Sequence, residues 1–293
     1  MSRVVVTGAS GFVGRAVRVA APHAEPLRLS QGDWRDALAS CDLRDAAVLH
    51  LGHAAHGGTD DGSLFADAAE KAEALATAAA RAGARVFVFA SSIKVNGEET
   101  QERPFRRDDP PAPADAYARA KAAAENAIAR IAREYPLPVH IVRPPLVFGA
   151  GAKGNLAALL KLCDSPWPLP FAGVRNRRSF VAVQDLARLL LACAAHPTAG
   201  CHTWLAAHPV AFSTPALIRE TRSALGRPTR LVDCPAAMLE GAAAVLGRRA
   251  QIRRLTRSLQ VDAAATEAAF DWRPQVDLAA CIRDMAVSWR DAS

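Results

Sequence analysis

Short β-branched apolar runs alternate with longer stretches of helical periodicity through the first half of the chain. Val4 to Thr7 reads as a strand, Phe12 to Ala20 as a helix, Leu27 to Leu29 as a short second strand and Ala47 to Leu51 as a third. An alanine-rich helical pattern follows from Ser63 to Arg81, then a buried strand from Arg85 to Ala90. Asp115 stands where it can N-cap a helix running to Glu134, and Val139 to Val142 is the next strand. Strands alternating with helices need crossover connections, which predicts an α/β fold: a doubly wound parallel sheet covered on both faces. After Pro144-Pro145 the pattern loosens into loops, with helical stretches near 184–195, 214–225, 236–247 and 277–289.

Composition narrows the picture. With 293 residues, 51% of them hydrophobic and 22% charged, the chain can bury a sizeable core, which excludes a disordered chain or a small stapled scaffold. No apolar run approaches the ~18 residues that cross a bilayer, and no charged-then-apolar leader precedes Arg3-Val4-Val5-Val6. The six cysteines form no C-x-x-C pair, so neither a zinc site nor a disulfide framework is expected. A reduced, cytoplasmic enzyme is the expectation. The net charge of +7 comes from arginines spread along the chain, without the basic stripe of a nucleic-acid binder. An anionic small molecule is the better partner for that charge.

Three constellations carry candidate chemistry. The first strand runs straight into Gly8, Gly11 and Gly14, spaced G-x-x-G-x-x-G at a strand-to-helix turn. Such a turn lets the backbone approach a pyrophosphate while the helix N-terminus offers unpaired N–H groups. Tyr117 and Lys121 lie four apart on a predicted helix and share one face. With so few tyrosines and lysines, that spacing has a chance of about 3%. A phenol must fall about 3 pKa units to exchange protons near neutrality, and a lysine ~5 Å away supplies much of that. Ser91-Ser92 ends the strand Arg85–Ala90, and ligands in open parallel sheets sit beyond the carboxyl ends of strands.

In this order the three resemble the extended short-chain dehydrogenase/reductase family, of the NAD-dependent epimerase/dehydratase type. Asp109-Pro110-Pro111, Arg143-Pro144 and Phe270-Asp271-Trp272-Arg273-Pro274 extend the match over nearly the whole chain. The runs Ser91 to Glu98, Arg143 to Gly149, Lys153-Gly154-Asn155 and Asn176 to Val181 look like a bacterial subgroup associated with surface-polysaccharide sugars. The resemblance implies a Rossmann-type dinucleotide-binding domain over 1–150. A mainly substrate-binding region would follow over 151–293, with a segment near 176–200 returning to the first. It implies Ser92, Tyr117 and Lys121 as catalytic residues, with Lys121 holding the nicotinamide ribose and lowering the Tyr117 pKa. It implies dinucleotide contacts from Gly8, Ser10, Gly11, Phe12, Val13, Gly14, Leu51, Gly52, His53, Ser91, Tyr117, Lys121, Arg143 and Pro144. Arg28, Asp33 and Trp34 are added as candidates on the adenosine side. Substrate contacts are implied for Ser92, Lys94, Asn155, Arg178 and either Arg253 or Arg254. The cofactor is NAD or NADP, with NAD preferred; the substrate is a nucleotide sugar, UDP-linked; a homodimer is a family expectation.

The chain departs from the pattern in two places. Between Gly14 and His50 it is short, and the second strand ends in Leu29-Ser30 without the acid that binds a ribose and selects NAD. Arg28 is read either as a 2′-phosphate ligand or as a plain surface arginine. In the long helix Ala68 stands where the family has an asparagine, with Asp67 beside it and Lys71 nearby. His50, His53 and His56 are read as the strand end and loop over the cofactor phosphates rather than a metal site. The leading function is epimerisation at C4 of a UDP-hexose or UDP-N-acetylhexosamine. The alternatives are an NADPH-dependent 4-keto-sugar reductase, a dehydratase (disfavoured by Ile93-Lys94) or steroid-like dehydrogenase on the same scaffold, and a dinucleotide-binding regulator without catalysis.

Overall fold

The computed structural model describes residues 3–29, 33–52, 62–151 and 154–291. In chain order the elements are β1 (Val4–Thr7), α1 (Phe12–Ala20), β2 (Glu25–Leu27), α2 (Trp34–Ala39), β3 (Ala47–His50), α3 (Gly62–Ala82) and β4 (Val86–Ala90). Then come α4 (Ala116–Glu134), β5 (Val139–Arg143), β6 (Leu146–Phe148), α5 (Asn155–Asp164), β7 (Phe180–Ala182), α6 (Val183–Ala195) and β8 (Cys201–Leu205). The chain ends in α7 (Thr214–Ala224), α8 (Ala236–Val245), α9 (Arg249–Thr256), α10 (Ala264–Phe270) and α11 (Leu278–Asp291).

Six strands form one parallel sheet in the order β2-β1-β3-β4-β5-β8. β1, β3 and β5 are buried at every residue, as expected for strands with helices on both faces. One face packs Val4, Val6, Leu49 and Val88 against α1 and α6. The other packs Val5, Val48, Phe87 and Phe89 against α3 and α4 through Leu75, Ala79, Ile128 and Ile131. A third core lies outside the sheet, where β6, β7, α5, α7 and α11 bury Phe148, Leu160, Phe180, Ile218 and Ile282. Phe148 and Phe180 stack with centroids 4.4 Å apart and join the small β6-β7 pair to it.

The structure corrects the element boundaries in three ways. The second strand is Glu25–Leu27, two residues earlier than the expected Leu27-Arg28-Leu29, because Val5 to Thr7 pair with Glu25 to Leu27. The edge strand β8 was not foreseen: Cys201, His202 and Thr203 are only half-buried, so no alternation marks them. Helices α2, α5, α9 and α10 were also unpredicted; α2, α9 and α10 have eight residues or fewer. The return to the sheet runs through α6 on α1 and on to β8, further than residue 200.

Candidate active site

At the carboxyl end of β1 the chain turns through Gly8 with φ +68°, a conformation that L side chains resist. A Cβ on Gly8 would also lie 2.6 Å from the amide nitrogen of Gly52, and one on Gly14 only 2.1 Å from the Gly8 carbonyl oxygen. These glycines are therefore demanded by the packing of the turn on β3's end and on α1. Gly11 caps α1 with no side chain, and no acid occupies the first helical turn. The first N–H groups of α1 thus open into a cleft of about 1060 Å³. That geometry fits the pyrophosphate of a dinucleotide.

The cleft brings together most residues picked from the sequence. Gly8, Ser10, Gly11, Phe12, Val13, Gly14, Leu51, Ser91, Ser92, Lys94, Tyr117, Lys121, Pro144 and Arg178 all line it. Gly52 stands behind the turn, against Gly8. Outside the cleft lining lie Arg28 and Asp33, both exposed, Trp34 and Arg253, both half-buried, and the buried Arg143. His53 and the side chain of Asn155 lie outside the described residues, as do Lys153 and His56.

Tyr117 sits in the first turn of α4, where Asp115 caps the helix by accepting from the Ala118 amide at 2.7 Å. The Ser92 hydroxyl hydrogen-bonds the phenol, and Ser92 itself accepts from the Lys94 amide as it caps the 3-10 turn 93–95. Burial pushes the phenol up to about 12; the Ser92 bond opposes this, and the Asp115 charge reinforces it. Lys121 is buried at the floor, its ammonium donating to the Ala90 carbonyl at 2.7 Å and lying 4.6 Å from the Phe89 ring centroid. Burial brings it down to about 7. Both groups are desolvated, and burial penalises phenolate and ammonium alike.

One residue missed in the sequence completes this floor. Glu125, one turn beyond Lys121, is buried and holds up the Lys121 pKa against burial. It accepts from Ser91 Oγ and, side-on, from Nε and Nη2 of the Arg143 guanidinium, whose Nη1 donates to Asn96 Oδ1 at 3.0 Å. Arg143, expected on the cofactor, is therefore committed to a buried ion pair beneath the cleft. The Tyr117, Lys121, Glu125 spacing of i, i+4, i+8 was the available signal.

The opposite wall carries cations. Arg178 is half-buried, donates to the Arg257 carbonyl at 2.9 Å, and is brought down to about 10 by burial and by the neighbouring Arg254. Arg254 lines the cleft beside Glu98 and Asp115, with its Nε buried and without a hydrogen-bond partner among the described residues. Of the two arginines weighed from the sequence, it is Arg254 that faces the cleft; Arg253 is held by Glu99 at 2.7 and 2.8 Å. Lys94 faces the cleft but its ammonium is paired with Asp115 and Glu98. Beyond these the wall is mostly apolar, built from Leu156, Leu159, Leu217, Leu239, Ile252 and Leu255, with Thr214, Arg248 and Gln251 among them. No motif announced it.

The departures from the family pattern acquire structural roles. Asp33 caps α2, and the Trp34 ring carries Arg35 and Lys71 over its faces. Lys71 also pairs with Asp67 at 2.7 Å within α3, and Arg35 pairs with Glu70, so this part of α3 is tied to α2 through Trp34 and Arg35. His50 is buried, hydrogen-bonded to Thr7 Oγ1 at 2.6 Å and stacked on Phe89, and burial takes it down to about 3.

Comparison with known proteins agrees with this geometry. The model of the NAD dependent epimerase/dehydratase family matches residues 4–205. A UDP-glucose 4-epimerase of Vibrio cholerae is 34% identical over 221 residues, covering 75% of this chain and 67% of that protein. RMD of Pseudomonas aeruginosa, solved with NADPH, superposes with a TM-score of 0.80 at 21% identity over 100% of both chains. A UDP-N-acetylglucosamine 4-epimerase of Bacillus cereus superposes with a TM-score of 0.78 at 18% identity, over 99% of this chain and 100% of that one. A glycine turn, a strand-end serine and a Tyr-x-x-x-Lys helix converging on one cleft, with a family match spanning the whole parallel sheet, make this chain an enzyme of the NAD dependent epimerase/dehydratase family.

Proposed function

We propose that the protein interconverts C4 epimers of a UDP-hexose or UDP-N-acetylhexosamine. The observation that carries this reading is the Ser92–Tyr117 hydrogen bond, facing Arg178 and Arg254 across a single cleft that begins at the glycine turn. Tyr117 would take the proton of the C4 hydroxyl and return it, with Ser92 holding the same oxygen through a second hydrogen bond. Lys121 would anchor the ribose of the dinucleotide, and Glu125 would keep Lys121 charged. Arg178 and Arg254, both in the cleft lining, would supply planar donors for the substrate diphosphate. A nicotinamide dinucleotide along the glycine turn would supply the redox chemistry at C4.

A second reading, reduction of a UDP-4-keto-sugar with NADPH, is favoured by one observation. β2 ends in Leu27 with Arg28 exposed behind it, and among the described residues no carboxylate stands at that strand end to select NAD. Incubating the purified protein with UDP-glucose or UDP-N-acetylglucosamine and following the sugar by proton NMR tests the first reading. Appearance of the C4 epimer without added cofactor supports it. No epimer from any UDP-hexose, together with NADPH oxidation on a UDP-4-keto-sugar, would replace it with the second.

A further inference from the structure

Helix α8 presents a surface unlike the rest of the molecule. From Cys234 to Ala250 the sequence holds a single acid, Glu240, and that carboxylate is buried against Thr256 and Arg257. Leu239, Ala242 and Ala243 line the cleft, with Leu246 (72% exposed) at its rim, while Met238 (65%) and Val245 (88%) face outward with Ala237, Gly241 and Ala244. A helix apolar on all sides is ordinarily a buried one. Here the outer side is open, and Arg248 and Arg249 follow at once, both exposed. The chain entering α8 bonds through 230–232 to the segment 167–172, which exposes Trp167 (73%).

We propose that α8 is a membrane-docking helix, laying its outer apolar face in the headgroup region of an anionic lipid bilayer with Arg248 and Arg249 on the lipid phosphates. At ten residues it is too short to span and suits an in-plane position. Met238 and Val245 with the rim residue Leu246 offer roughly 400 Å², about half of the ~800 Å² per partner that a stable protein interface buries. A bilayer needs no matching surface, and the arginine pair with the chain's net charge of +7 complements anionic headgroups. Leu246 and Arg248 are both exposed and part of the cleft lining, so docking sets the rim of the site at the bilayer surface.

Sedimenting the full-length chain with large unilamellar vesicles tests this, comparing phosphatidylcholine alone with phosphatidylcholine containing about one-third phosphatidylglycerol. The protein should pellet with the anionic vesicles and much less with the neutral ones. Met238→Glu and Val245→Glu, which alter exposed side chains outside the cleft, should weaken binding at least about tenfold, and Arg249→Ala about fivefold. All three should keep the wild-type thermal unfolding profile. Wild-type protein that stays in the supernatant, or a Val245→Glu variant that pellets as wild type does, would overturn the proposal. So would a wild-type dimer in analytical ultracentrifugation that Val245→Glu converts to monomer, because the face would then belong to a second copy.

Discussion

Tyr117 and Lys121 are each displaced from their ordinary protonation by the same physical fact, their removal from water. For the phenol the displacement is upward, so the chain's own groups do not make Tyr117 a base at neutral pH. In a Tyr135→Phe background, phenolate absorbance should therefore appear near pH 12 in the dinucleotide-free protein, and Ser92→Ala should raise it further. Tyr117→Phe should lower turnover by roughly 10²–10⁴ while leaving dinucleotide affinity intact, measured by steady-state kinetics and cofactor titration. For Lys121 the folded pKa of about 7 lies below the ordinary lysine value. Between those two values the unfolded chain binds the proton that the folded chain has lost, so stability rises with pH there. Urea unfolding should show wild type gaining stability relative to Lys121→Met as pH goes from about 7 to about 10. Glu125→Gln should extend the lower end of that window to lower pH while its upper end, set by the unfolded chain, stays put, since the Glu125 charge is what holds the ammonium up.

At the scale of single elements, two features decide whether the site forms. The start of α1 has no room for a Cβ at Gly14: the Gly8 carbonyl oxygen would lie 2.1 Å away, and backbone cannot yield as a flexible side chain can. Gly14→Ala should shift the helix N-terminus and weaken dinucleotide binding at least about tenfold, roughly the loss of one charge-assisted hydrogen bond, read by fluorescence titration. The second feature is α6, whose fully buried Asp185 accepts from the Gln275 and Val276 amides at 3.1 and 3.2 Å and pairs with Arg188. The Trp272 indole adds a bond to the Asp185 carbonyl at 3.1 Å. The Trp272-Arg273-Pro274 motif is thus the clasp that returns the C-terminal part to the sheet. Asp185→Ala should destabilise the fold by roughly 2–4 kcal/mol in urea unfolding, because two buried amides lose their acceptor.

For the molecule as a whole, the choice between epimerisation and reduction turns on how long the dinucleotide stays. An epimerase ends each cycle with its cofactor in the starting state, whereas a reductase must exchange it at every turnover. The cleft closes around the pyrophosphate end, but Asp33 and Trp34 are occupied in capping and packing α2, and Arg28 stands outside it. The C4-epimerase reading predicts near-stoichiometric NAD in the supernatant of protein purified without added cofactor and then denatured. An empty site with NADPH turnover on a UDP-4-keto-sugar would favour the reductase.

The sheet and the cofactor turn were legible in the sequence because their signals are local. Buried parallel strands read as unbroken apolar runs, and G-x-x-G-x-x-G and Tyr-x-x-x-Lys are fixed by spacing within one turn or helix. Ser92, Tyr117 and Lys121 could be picked out together because the parallel sheet places ligands beyond its strands' carboxyl ends. What the sequence could not contain was the outcome of long-range pairing. Arg143 looked like a cofactor ligand until Glu125 and Asn96 were found to hold it, and Arg253 was separated from Arg254 only by which side of α9 met Glu99. β8 was invisible because an edge strand that is half-exposed has no alternation to announce it. The apolar far wall, drawn from α5, α7, α8 and α9, arises from residues up to a hundred positions apart that share a surface only once the third core has closed. Local chemistry determined the sheet and its motif residues; burial, a property of the assembled molecule, decided the charge each buried side chain carries and the partner it keeps.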